Sequence, residues 1–86
     1  MSEKKRITLY HRIGCHLCEQ MAASLYALRK ELNVEVELID IDKDDELRKR
    51  YDVDVPVVAY RDEVIFYHFF DEEQLRNALQ ATSDGE

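Results

Sequence analysis

The chain has 86 residues, 45% of them hydrophobic, and a formal net charge of −7. That length bounds it to one domain near the lower limit for a self-sufficient core, and the apolar content argues against a disordered chain. The acidic balance would repel a phosphate backbone and argues against nucleic-acid binding, and no apolar run approaches the roughly 20 residues needed to cross a bilayer.

The opening stretch MSEKKRITLYHR lacks the apolar core of a secretory signal, so the expected compartment is the cytosol. Lys4-Lys5-Arg6 reads as a solvated, frayed start rather than an anion patch. Residues 6–11 alternate and are rich in β-formers, which predicts a strand. From residue 15 to residue 32, Leu17, Met21, Leu25, Leu28 and Leu32 recur at steps of three and four, the pattern of an amphipathic helix, and Asn33 suits its left-handed end. Residues 34–41, VEVELIDI, alternate and then turn apolar, as an inner strand would. Asp42 is the expected cap of a short helix, with acids at its start and Arg48, Lys49 and Arg50 at its end complementing the helix dipole. Residues 55–60 and 63–69 predict two strands joined by a tight turn at Arg61-Asp62. Asp71 is the expected cap of a last helix, with Gln74 completing a capping box and Phe70 stapled onto Leu75. The core should span about residues 6–80 and the tail, 81–86, should be flexible. The order is βαβ-α-ββα, which a four-stranded mixed sheet flanked by helices accommodates, with the first two strands parallel and the last two antiparallel.

The only cysteines are Cys15 and Cys18, in the stretch RIGCHLCEQM. In the cytosol such a pair is seldom a structural staple, and three readings stay open: a dithiol redox centre, half of a metal site, or inert core thiols. Cys15 falls where the first strand gives way to the first helix, after Gly14. The unpaired amides at a helix start carry about half a positive charge and stabilise a thiolate there. Arg12, and His16 when protonated, are further sources of positive potential. Cys18 lies three positions on along the same helix face, where a modest adjustment brings two sulfurs to bonding distance. Cys15 is then the attacking thiol and Cys18 the resolving thiol. A zinc site would need four ligands, and His11, His16 and His68 are the only histidines on offer.

The motif LYHRIGCHLCEQM, followed by VDVPVV, resembles the glutaredoxin-like branch of the thioredoxin superfamily, and in particular small glutaredoxin-like proteins with G-C-H-L-C. The likeness runs from about Ile7 to Leu79. It implies a thioredoxin-like fold of glutaredoxin type, Cys15 and Cys18 as the catalytic pair, and a cis peptide bond before Pro56, packed opposite the cysteines. It also implies that the Val55 backbone pairs with bound substrate as an added strand. The family's usual Gly-Gly pair after the last strand is absent here. The stretch is YHFFDEE, with Phe69 and Phe70 in the corresponding space and Asp71, Glu72 and Glu73 adding negative charge. That puts glutathione binding in doubt while leaving mixed-disulfide exchange with glutathione open.

Plainer readings stand beside these. Tyr10 and His11 either line a substrate groove or divide between core and solvent. His16 is as readily an exposed helix-tip residue, the aromatics Phe66, Tyr67, Phe69 and Phe70 read as strand core and helix staple before a ligand platform, and Asp52 and Asp54 read as a solvated turn before a proton shuttle for Cys18. The reading as a whole is a monomeric cytoplasmic thiol–disulfide oxidoreductase without a bound cofactor. Its partners would be protein or small-molecule disulfides met through Cys15, Cys18, Val55, Pro56, His16 and Arg12, with glutathione or thioredoxin reductase as electron donor. The alternative is a metal- or cluster-binding module using the same thiols without redox turnover.

Overall fold

The computed structural model describes residues 4–83. Strand β1 (Lys5–His11) leads into helix α1 (His16–Leu32), strand β2 (Val34–Asp40), a 3-10 turn (Ile41–Lys43) and helix α2 (Asp45–Tyr51). A second 3-10 turn (Asp52–Asp54) then precedes strand β3 (Val57–Tyr60), strand β4 (Glu63–Tyr67) and helix α3 (Glu72–Ser83). The sheet order is β2-β1-β3-β4, with β1 and β2 parallel and the other two pairings antiparallel. This is the expected four-stranded mixed sheet.

Alternation along the inner strands sorts side chains onto two faces. On one face Ile7 and Leu9 of β1, with Val58 and Tyr60 of β3, meet Met21 and Leu25 of α1 and Leu75 and Leu79 of α3 in the larger core cluster. On the other, Val57 meets Ile41 and Tyr51 in a smaller cluster beneath α2, edged by Tyr10, Leu47, Val55 and Val64. On α1 the sulfur of Cys18 joins Met21 and Leu25 as a buried position, while Leu17, Leu28 and Leu32 are half-buried. Asn33 ends α1 at φ 57°, its N–H returning to the carbonyls of Arg29 and Lys30.

Several expectations change. β2 is an edge strand, with one partner rather than two, and its Leu38 is exposed. Asp42 does not cap α2. Asp44 does, accepting from the Glu46 and Leu47 N–H groups at 2.9 and 3.2 Å, while Asp40 caps the preceding 3-10 turn. The turn inserts a step between strand and helix that no apolar periodicity marks. β3 starts two residues later than expected, at Val57, and β4 stops at Tyr67, because His68 adopts a left-handed conformation at φ 67°. The hairpin turn places both Arg61 and Asp62 at positive φ, the I′ geometry that suits the strand twist, without Asn or Gly.

Asp71 accepts from the Gln74 N–H at 3.0 Å, but the Gln74 amide returns to the Asp71 carboxylate rather than to its backbone. β1 begins one residue earlier than expected, at Lys5, whose ammonium donates to the Leu79 carbonyl at 3.0 Å rather than fraying. Residues 81–83 continue α3 rather than forming a tail, and the rest of the expected tail, 84–86, lies outside the described residues. No described helix is long and apolar enough to cross a membrane.

Candidate active site

β1 ends at His11, and residues 12–15 turn, closed by the Cys15 N–H on the Arg12 carbonyl at 3.3 Å. Gly14 sits at φ 82°, and the space a Cβ would take is empty, so conformation rather than crowding asks for glycine. Cys15 is the N-cap of α1, in extended conformation, and its Sγ accepts a hydrogen bond from the Cys18 N–H at 3.1 Å. A sulfur thus takes the place where a Ser or Asp oxygen usually satisfies one of the free amides of a helix start. Cys15 and Cys18 are joined as a disulfide with Cα atoms 5.2 Å apart. Exposure separates them: Cys15 is half-buried at the helix tip, and Cys18, one turn inside, is 3% exposed.

Arg12 lines the groove that reaches Cys18, and its charge is paired with acids. Its guanidinium straddles two carboxylates, reaching Asp42 through Nη2 at 2.9 Å and Nε at 3.2 Å, and Asp52 through Nη1 at 3.3 Å. The hydrogen bond to Asp42 is the main reason its pKa rises above the ordinary value, and the same bond is the main reason the Asp42 carboxyl titrates below its usual range. The three groups tie the cysteine turn to the turns after β2 and α2. His16 is exposed, its ring beside Gln20 at 3.2 Å and Glu19 at 3.9 Å on the outer surface of α1. The Val55–Pro56 peptide bond is cis, as the resemblance implies. Val55 is extended, half-buried, and precedes the first paired residue of β3. Pro56 is fully buried, and its carbonyl accepts from the His68 N–H at 2.8 Å, which ties the proline turn to the segment after β4.

Phe69 and Phe70 part company. Phe70 packs on the larger core cluster, edge-on to Phe66 with ring centroids 6.1 Å apart, whereas Phe69 stays exposed and lines a shallow groove with Leu17, Gln20 and Met21 of α1. Tyr10 also goes to the core, stacked on Tyr51 at 4.6 Å, and burial, with Tyr51 next, raises its hydroxyl pKa above the ordinary value. His11 takes the other option: it lines a groove of about 250 Å³ with Ile13, Cys18, Ala22 and Leu38. Among the described residues no group of three or more His, Cys, Asp or Glu is arranged to hold a metal ion, so a metal site on these thiols would need ligands from a second chain.

Two features of the site are missing from the sequence reading. The Arg12 clamp joins residues 30 and 40 positions apart, and only the surplus of acids near the turns hinted at it. Ile13, in the cysteine turn, and Val53, in the turn after α2, are exposed apolar residues, and the available signal was an apolar residue in a turn with no periodic place to be buried.

The family model for the Glutaredoxin-like domain (DUF836) matches residues 6–80. A protein of Nitrosomonas europaea, solved by NMR, is 35% identical, with a TM-score of 0.82 over 91% of this chain and 94% of its own. A protein of X. campestris is 33% identical, with a TM-score of 0.70 over 87% of this chain and 96% of its own. The germline-specific thioredoxin Deadhead of Drosophila melanogaster, 24% identical with a TM-score of 0.58 over 93% of this chain and 82% of its own, shares the fold. The architecture is thioredoxin-like, and a pair at disulfide distance within it fits a redox role. No curated protein matches the sequence significantly.

Proposed function

The chain belongs to the Glutaredoxin-like domain family (DUF836), and from that premise we propose that it is a thiol–disulfide oxidoreductase whose redox centre is the Cys15–Cys18 pair. The observation that carries the reading is the Cys15 sulfur itself. It caps α1, takes the Cys18 N–H, and is the more open of two sulfurs already within covalent reach. In the reduced protein that N–H and the positive end of α1 favour the thiolate, which is the form that attacks disulfides.

The Cys15 thiolate attacks one sulfur of a substrate disulfide, forming a mixed disulfide and releasing the other half as a thiolate that takes up a proton. Cys18 loses its proton and attacks the Cys15 sulfur, releasing the second half as a thiolate. The substrate gains two electrons and the protein is left as the disulfide. Run backwards, the same steps oxidise a dithiol. The two sulfurs need no prosthetic group. Glutathione and thioredoxin reductase are the candidate electron donors, protein or small mixed disulfides the candidate substrates, and a cytosolic monomer the expected form. Val55 and the cis Pro56 would receive the substrate backbone.

The test is substitution of each sulfur. Cys15→Ser should reduce disulfide turnover to the uncatalysed background, and Cys18→Ser should accumulate mixed disulfides on Cys15, visible by mass spectrometry of the intact protein. Equal turnover by the wild type and Cys15→Ser would remove the reading.

A further inference from the structure

Three segments meet at the redox end: residues 12–19, 52–56 and 68–73. The bond from Arg12 to Asp52 ties the first to the second, and the His68 N–H on the Pro56 carbonyl ties the second to the third. Each presents one large apolar side chain to solvent: Ile13 is 80% exposed, Val53 77% and Phe69 69%. They are the three most exposed large hydrophobic residues among those described. Ile13 lines the groove that reaches Cys18, Phe69 lines a groove along α1, and Val53 follows Asp52, the partner of Arg12; exposed apolar side chains gathered on segments tied to a reactive pair are the kind of feature that marks an interaction surface.

The charge around that patch is mostly negative. The three segments hold six carboxylates, Glu19, Asp52, Asp54, Asp71, Glu72 and Glu73, and one obligatory cation, Arg12. Arg12 is already shared between Asp52 and Asp42. Asp71 stays ionised, since the Gln74 N–H lowers its pKa. Of the other cations nearby, Lys43 lines a groove with Ile13, Arg76 is paired with Glu72 and Glu31, Arg48 is paired with Asp45, and Arg50 lies over the Tyr51 ring, so carboxylates outnumber cations around the patch.

We propose that the surface formed by Ile13, Val53 and Phe69 docks an extended, cationic segment of a partner protein, with an apolar residue beside the partner's disulfide and Lys or Arg on either side. This rests on the redox reading above and names its substrate class. The carboxylates decide between occupants. A second copy would bring its own six carboxylates against these, an anionic lipid surface would be repelled in the same way, and glutathione disulfide would bring carboxylates to a face where carboxylates already outnumber cations. A basic segment is the occupant whose charge complements the rim, while the apolar side chains exclude water from the exchanging sulfurs.

The experiment compares three substrates on the intact protein: one disulfide-bridged peptide with an apolar residue next to its cysteine and Lys flanks, the same peptide with Glu flanks, and glutathione disulfide. At low ionic strength kcat/KM for the Lys peptide should exceed that for the Glu peptide at least about tenfold, and the ratio should fall as salt is added. Glutathione disulfide should rank with the Glu peptide. Asp54→Lys combined with Glu73→Lys should shrink or invert the ratio, and Phe69→Ser should raise KM for the Lys peptide. Equal rates for the two peptides, insensitive to salt, would overturn the proposal and leave the redox reading standing. Turnover of glutathione disulfide as fast as that of the Lys peptide would overturn it too. A dimer in sedimentation that Phe69→Ser dissolves would assign the surface to a second copy. If none of the substrates is turned over faster than by Cys15→Ser, it is the redox reading that fails.

Discussion

The cysteine turn and the turns before the cis proline, tied together by the Arg12–Asp52 bond, belong to two halves of the molecule held in different ways. α1, which carries both sulfurs, is seated with α3 on a cluster of ten buried residues, whereas the turns on the α2 side rest on three, Ile41, Tyr51 and Val57, edged by half-buried neighbours. The thinner side is supplemented by polar ties, the Arg12 clamp and the His68–Pro56 hydrogen bond. Burial of hydrocarbon is proportional to area and insensitive to salt, while exposed ion pairs are weak and screened. The helix bearing the reactive pair should therefore be the firmer element, and the side held by the Arg12 clamp the one more sensitive to salt and pH.

The largest expected effect tests the thick side. Leu25→Ala removes a side chain only 1% exposed on α1, with packed neighbours on every side. It should cost about 4 kcal/mol in urea unfolding, within the range for buried Leu truncations. Ile41→Ala, on the thin side, should cost about 2 kcal/mol, because half-buried Tyr10, Leu47 and Val64 can settle into the space. Equal losses at the two sites would end the distinction. Between these and the ion pairs comes Gly14→Ala. Nothing crowds the Cβ, so the cost is that of holding an L-residue at φ 82°, about 1–2 kcal/mol, and it should appear as slower disulfide reduction as well as lower stability.

How far the sequence was legible follows from the same division. The strands, α1 and α3 write themselves through period and caps: Met21 and Leu25 repeat at helical spacing, and Asp71 is followed three residues later by Gln74. Cys15 and Cys18 were legible because their spacing and the preceding Gly14 place them at a helix start. Position in the sheet was harder. The apolar end of VEVELIDI suits an inner strand, yet strand order is fixed by how all four strands pair, and β2 lies at the edge. The cap of α2 was misplaced because Asp40, Asp42, Asp44 and Asp45 are alike as letters. Which of them caps and which receives Arg12 is decided by a guanidinium 30 residues away. Phe69 and Phe70, adjacent and identical, go to solvent and core because the chain turns at His68, a conformation His does not announce.

The smallest effect on stability is expected at the clamp, and pH exposes it. Asp42 is exposed and Arg12 half-buried at the surface, so Arg12→Ala should lower the melting temperature by only a few degrees at neutral pH and low salt, with less difference as salt rises. Asp42 titrates below its usual range in the folded protein chiefly through the Arg12 hydrogen bond. Between that lowered pKa and the ordinary one, the unfolded chain binds the proton and the folded one does not. The stabilisation is therefore complete above the ordinary carboxylate pKa and is lost as pH falls through the lowered value. The gap between wild type and Arg12→Ala should be full at neutral pH and close in acid, and Asp42→Asn should show the same gap without adding to it in the double variant. Asp71, lowered by Gln74 instead, should keep its acid titration in Arg12→Ala and serve as the internal control. If the clamp orients the proline turn, KM for a protein disulfide should rise a few-fold in Arg12→Ala and track ionic strength in the wild type. A salt-independent KM that Arg12→Ala leaves unchanged would mean that the three buried residues beneath α2 suffice to hold that side of the site.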